Sequence, residues 1–286
     1  MLLKNIKREK EDLGESVLFK RLISTFVLVV ITALGLSFNL AFIFIILSIT
    51  FLALYEYFAL VEKKGVYPYK YFGSLIGLII PLTIFFKFEL TKGWELLFVV
   101  LGLFSLFILQ IVNKKNSEAL FSISVTVFGI VYISWLFSFL VRLKLMSHGV
   151  ILVGALIFIT KGSDIGAYLV GSQWGRHLLI SRISPKKTIE GLIGAIVFGI
   201  FAAFLSRGFL LEVYNFTNIH IVLLGAGLAV IGQLGDLSES LIKRDCQAKD
   251  SNRIFPGIGG IMDVIDSILF TAPVFYFYIS KFVYKL

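Results

Sequence analysis

Apolar residues run through this chain in long blocks rather than in the short alternations of a soluble fold. Runs rich in Leu, Ile, Phe and Val cover residues 22–38, 40–61, 71–88, 94–112, 119–141, 149–172, 191–211, 219–242 and 264–284. Each approaches the roughly 20 residues that carry a helix across the hydrocarbon core of a bilayer. The pattern predicts an all-α polytopic membrane protein with about nine transmembrane helices. Only Ser37-Phe38-Asn39 separates the first two runs, which implies a tight helical hairpin. No small-residue cleavage site follows the first run, so a retained helix is expected rather than a signal peptide. No internal repeat or low-complexity linker interrupts the series.

Composition strengthens this reading. The chain is 58% hydrophobic and 16% charged, with a mean hydropathy of +0.92, whereas a soluble domain carries about a quarter charged residues. Its net charge of +9 is spread over the connections between apolar runs. That distribution argues against a nucleic-acid partner, which needs one basic patch. Cys246 is the single cysteine, which excludes an intramolecular disulfide and a cysteine metal cluster. The histidines His148, His177 and His220 are scattered and read as loop or helix-end residues.

Lys and Arg orient the series. With the N-terminus inside, 19 of the 27 fall on the inner side, seven on the outer side, and Lys161 within a run. The bias predicts an N-inside, C-outside protein of the cell inner membrane. Residues 1–21 then form a cytoplasmic tail, 22–148 a scaffold of five helices, and 149–286 a region of four helices that carries the chemistry.

The reason for that last assignment is where the polar groups fall. An ionisable residue inside a span is costly and usually marks function. Glu56 is nearly alone in the first five runs and is left out of the predicted site. The second half holds four polar groups of residues. Lys161, Asp164 and Tyr168 share one face of the sixth run, and Asp236, Glu239, Ser240 and Lys243 share one face of the eighth. Lys186 and Lys187 precede the seventh, and Asp263 and Asp266 open the ninth one turn apart. The predicted topology brings all four groups to the cytoplasmic leaflet.

Asp164, Asp236, Asp263 and Asp266 are hard oxygen ligands suited to Mg²⁺, with room for a second cation. Lys186, Lys187, Lys243, Arg244, Lys249 and Arg253 can hold phosphate oxygens. Gly257, Gly259 and Gly260 allow close approach of backbone to a phosphate ahead of a helix N-terminus. Acids for a metal beside bases for phosphates point to phosphoryl or nucleotidyl transfer. Plainer readings exist for each: acids favoured by a helix dipole, a Lys161–Asp164 ion pair, and Lys186-Lys187 as a topology signal.

The run "SLIKRDCQAKDSNRIFPGIGGIMDVIDS" resembles the C-terminal signature of the phosphatidate cytidylyltransferase (CDP-diacylglycerol synthase) family. It carries Ser240, Lys243, Arg244, Lys249, Asp250, Pro256, Gly257, Gly259, Gly260, Asp263 and Asp266. The blocks "SDIGAYLVGSQWGRH", "GDLSES" and "SPKKTIEGLIG", the last with Ser184, Lys186, Lys187 and Thr188, are similar to the family as well. The chain departs from it at Ile258, where the family has histidine, and at Val264, where it has arginine. The resemblance implies Mg²⁺-dependent transfer of CMP from CTP to phosphatidate, giving CDP-diacylglycerol and pyrophosphate for phospholipid synthesis. It also implies that Ser184, Thr188, Ser240, Lys249, Asp250, Arg253, Gly257, Gly259 and Gly260 bind substrate. Lys186, Lys187, Lys243, Arg244 and Asp263 would carry catalysis at a site in contact with membrane lipid, and a homodimer is compatible with it. Three other readings stay open: a CTP-dependent lipid kinase, a cation-coupled transporter, and a degenerate member kept for binding.

Overall fold

The computed structural model describes residues 19, 22–87, 94–112, 118–211, 217–248, 251–252, 254–255 and 259–283. Lys249, Asp250, Arg253 and the Pro256-Gly257-Ile258 segment lie outside the described residues, as does almost all of the 1–21 tail. Within the described part the chain is helical apart from one two-stranded hairpin.

The helices follow the apolar runs. They are α1 (Leu22–Ser37), α2 (Asn39–Lys63), α3 (Lys70–Phe85) and α4 (Trp94–Val112). A continuous rod follows, made of α5 (Ala119–Gly129), a π-helical turn (Ile130–Trp135) and α6 (Leu136–Leu145). Then come α7 (Gly149–Trp174), the hairpin β1 (Leu178–Ile180) and β2 (Ser184–Thr188), α8 (Ile189–Leu205) and the short α9 (Arg207–Leu211). The series closes with α10 (Asn218–Asp245) and α11 (Ile261–Tyr278), the latter prolonged by a second π-helical turn.

Five of these are long and apolar enough to cross a membrane by length and composition: α2, the Ala119–Leu145 rod, α7, α10 and Ile261–Phe282. The apolar stretches of α1, α3, α4 and α8 are shorter. The 17 residues of α8 reach about 25 Å at ~1.5 Å per residue, just short of a hydrocarbon core of about 30 Å. The expected run 191–211 breaks because α8 ends at Leu205, where the Ser206 hydroxyl donates back to the Ala202 carbonyl at 2.9 Å. The expected run 264–284 begins earlier, at Ile261, because Gly260 is the N-cap.

Large side chains turn outward as well as inward, as they do when the surrounding solvent is lipid. Phe44, Phe104, Val197, Phe201 and Leu223 are exposed, while Leu54, Phe58, Phe137, Leu152, Leu156 and Phe275 are fully buried between α2, α6, α7 and α11. Around α8 the packing is closest. A Cβ on Gly199 would stand 2.6 Å from the Gly225 carbonyl of α10, and one on Gly194 would stand 2.7 Å from the Gly166 carbonyl of α7. Small residues let helices in lipid approach backbone to backbone. Here they draw α7, α8 and α10 into a tight group, against which α11 packs.

Candidate active site

That group brings polar residues of four elements together in an otherwise apolar interior. On α10, Asp236, Glu239, Ser240 and Lys243 follow one another along a single face, as a helix of 3.6 residues per turn requires. Asp236 receives Lys187 from the end of β2 at 2.8 Å. Lys243 stands between two acids, 2.7 Å from Glu239 and 2.5 Å from Asp263 of α11. On α7, Lys161 lies 3.2 Å from Asp164 and also donates to the Val264 carbonyl and the Ser267 hydroxyl, each at 3.0 Å. Gln233 donates to Asp164 at 3.4 Å, which links α7 to α10.

At the centre, oxygens of Asp236, Glu239 and Asp266 lie within 4.8 Å of one another. Oxygens that share one divalent cation are separated by about 3–5 Å. Glu239 is 1% exposed, and its Oε1 has no hydrogen-bond partner. A buried carboxylate oxygen left unpaired is costly. The groups joined by these ion pairs and by the triad set five carboxylates (Asp164, Asp236, Glu239, Asp263 and Asp266) against three ammonium groups (Lys161, Lys187 and Lys243). With all of them ionised, two negative charges remain in excess, which one divalent cation offsets. The donor set therefore fits such an ion, held by Asp236, Glu239 and Asp266.

Several predicted site residues take more specific places. Asp263 is the N3 residue of α11 rather than a free acid ahead of it. Its Oδ2 accepts from the Gly260 amide at 2.7 Å and the Ser251 hydroxyl at 2.8 Å. Gly259 adopts φ +131°, and a Cβ there would press on the Asp263 carboxylate. The close approach that calls for glycine at 259 is thus to an acid of the chain itself. Thr188 is the N-cap of α8, its hydroxyl accepting from the Gly191 amide at 3.1 Å. Ser184 opens β2 and pairs with Ile180 across the hairpin. Ser240 donates to Asp236 at 3.4 Å. Arg244 is exposed and donates to the Ile183 carbonyl at 3.3 Å, fastening the hairpin to the end of α10. Lys186 is exposed on β2, and Tyr168, at 68% exposure, points away from the cluster.

Two residues outside the predicted set belong to the site. Glu239 completes the acidic triad; its place on the Asp236–Lys243 face was the available signal. Glu56 of α2 is 1% exposed. Its carboxylate accepts from the amides of Ile261 and Met262 and from the Ser251 hydroxyl, each at 3.0 Å. Those amides are the orphan donors of a helix start. The α11 N-terminus, expected to face a phosphate, is therefore filled by Glu56 and Asp263. Sequence gave no local signal for this, because donor and acceptor lie 205 residues apart.

Fold and site together define a membrane protein of several apolar helices with a partly buried cluster of acids and lysines between them. A model of the cytidylyltransferase family matches residues 19–282, and the chain belongs to that family. It is 36% identical over 240 residues to the uncharacterized protein YnbB of Escherichia coli, covering 81% of this chain and 76% of that one. It is 32% identical over 262 residues to a phosphatidate cytidylyltransferase of Synechocystis sp., covering 81% and 85%. A third relative, a phosphatidate cytidylyltransferase of Bacillus subtilis, is 31% identical over 245 residues, covering 85% and 90%.

Proposed function

We propose that the protein transfers CMP from CTP to phosphatidate, forming CDP-diacylglycerol and releasing pyrophosphate. The observation that carries this reading is the Asp236–Glu239–Asp266 triad, with Glu239 and Asp266 buried and one Glu239 oxygen unpaired, set among lysines in a member of the cytidylyltransferase family. Relatives named phosphatidate cytidylyltransferase along most of the chain support the choice of substrates.

In this mechanism a phosphatidate phosphate oxygen attacks the α-phosphorus of CTP, and the bond from that phosphorus to the bridging oxygen of pyrophosphate breaks. A phosphate monoester is largely ionised at neutral pH, so the attacking oxygen needs no strong base. Mg²⁺, held by Asp236, Glu239 and Asp266, with Asp164 and Asp263 in the surrounding network, would neutralise charge on the phosphates. Lys187 pairs with Asp236 and Lys243 with Glu239 and Asp263, which orients those carboxylates, and both lysines stand ready to exchange a carboxylate partner for a phosphate oxygen. Lys186 and Arg244, exposed beside the hairpin, supply positive charge at the entrance for the triphosphate. Glu239 and Asp266 are shielded from water by the surrounding helices, which raises the worth of charge contacts made there.

The lipid substrate sets the site's location. We place it at the cytoplasmic side of the inner membrane, in a chain that crosses nine times with its N-terminus inside. The 19-to-7 distribution of Lys and Arg and the series of long and short apolar helices support that arrangement. Residues 149–286 supply the reacting groups on a scaffold formed by 22–148. Purified protein given phosphatidate, Mg²⁺ and labelled CTP is expected to yield labelled CDP-diacylglycerol and pyrophosphate. Release of CDP would identify a lipid kinase instead, and no product above an Asp266→Asn control would reject the reading.

A further inference from the structure

Glu56 is an acid in the membrane-spanning helix α2, far in sequence from every other acid of the site, and it is buried as deeply as Glu239. An isolated carboxylate at that depth would be expensive. Here both of its oxygens are occupied: Oε1 accepts from the Ile261 amide, and Oε2 from the Met262 amide and the Ser251 hydroxyl. The Ser251 hydroxyl lies 2.8 Å from the Asp263 Oδ2, which also takes the Gly260 amide. A Cβ on Gly260 would fall 2.5 Å from a Glu56 oxygen, so the side chain at 260 is kept minimal by that carboxylate. The negative charge also suits the positive end of the α11 dipole.

From this geometry we infer that Glu56 is a positioning residue for Asp263 and the start of α11, with Ser251 as the bridge between the two carboxylates. Asp263 presents Oδ1 to Lys243 while Oδ2 is held by the Gly260 amide and by the Ser251 hydroxyl, whose single proton lies between Asp263 and Glu56. The inference rests on the proposed cytidylyl transfer for its catalytic consequence, but its structural half stands apart from any activity. Glu56 touches no reacting atom. Its effect passes through Asp263 to Lys243 and from there to the acidic triad.

The test uses the full-length protein in detergent with Glu56→Gln and Glu56→Asp. Glutamine keeps the shape but turns an amide NH₂ toward one set of donors; aspartate keeps the charge on a shorter stem. Hydrogen exchange followed on the peptide around residues 259–265 reads the junction directly, whether or not the protein turns over. Glu56→Gln is expected to speed exchange there and to leave α7 and α8 peptides unchanged. In the CTP assay kcat is expected to fall about 10–100-fold, the scale set by sub-ångström to 1 Å misplacement of a reacting group. The KM for CTP should stay within a factor of about 3, because no substrate contact is removed, and Glu56→Asp should recover part of the loss. Unchanged exchange overturns the inference, as does faster exchange with unaltered kcat. A wild-type protein without cytidylyl transfer defeats the proposed function, while the exchange measurement still decides whether Glu56 fixes the junction.

Discussion

Lys243 holds two carboxylates apart, and removing it tests the charge accounting of the site. In Lys243→Met the stem is roughly preserved while Glu239 and Asp263 lose an ammonium group 2.7 and 2.5 Å away. The Lys243 side chain is 10% exposed, that of Glu239 1% and that of Asp263 14%, so little water can take its place. Breaking a buried pair on one side costs about 3–5 kcal/mol. The exposed Lys64–Asp245 pair, at 46% and 63% side-chain exposure, supplies the contrast, since such pairs contribute about 0–1 kcal/mol. Lys243→Met is expected to lower the thermal midpoint of the detergent-purified protein well below that of Lys64→Met. It also raises the excess of negative charge from two to three, so Mg²⁺ should recover more of the midpoint in this variant than in wild type. Tryptophan fluorescence during heating, with EDTA or with Mg²⁺, reads both effects. Equal losses in the two lysine variants, or an Mg²⁺ shift no larger than in wild type, would refute the reasoning.

Other outcomes follow from the same contacts. Asp266→Asn removes one oxygen of the triad and is expected to weaken Mn²⁺ binding, followed by electron paramagnetic resonance, at least tenfold, a loss of about 1.4 kcal/mol or more. Gly235→Ala would drive a methyl into the Asp266 carbonyl. It should part α10 from α11, with about 1–3 kcal/mol lost to overpacking and turnover falling further than stability. Cys246 is buried, and burial followed by the charge of Asp245 pushes its thiol above the usual range. Little thiolate then exists at neutral pH, so maleimide labelling, read by intact mass, should be slow in the folded protein and fast once it is unfolded.

Periodicity and spacing carried much of this structure. Apolar runs located the helices because lipid leaves the backbone few other choices, and one-face spacing correctly grouped Asp236, Glu239, Ser240 and Lys243. The β1–β2 hairpin has no strand signature in the sequence, since its five-residue strand Ser184–Thr188 carries a proline and two lysines rather than an apolar alternation. The π-helical turn at Ile130–Trp135 leaves no mark in a mostly apolar segment whose one serine, Ser134, fits a helix of either kind. Asp263 could be read as an acid near a helix start, but its engagement by Ser251, Gly260 and Lys243 depends on a loop path that composition does not specify. Glu56 is illegible in the sequence for a related reason: the amides it binds reach it only through tertiary structure.

The distance along the chain between Glu56 and its acceptor helix has a consequence for biosynthesis. Synthesis runs from the N-terminus, so the carboxylate that receives α11 enters the membrane some 200 residues before the amides it will bind. Until then Glu56 has neither the Ser251 hydroxyl nor the Ile261 and Met262 amides to offset its burial. The nascent protein therefore carries an unmet demand in its second helix, and the arrival of α11 answers it. Docking of that helix and completion of the acidic triad become a single event, which ties assembly of the site to the emergence of α11 rather than to the helices made before it.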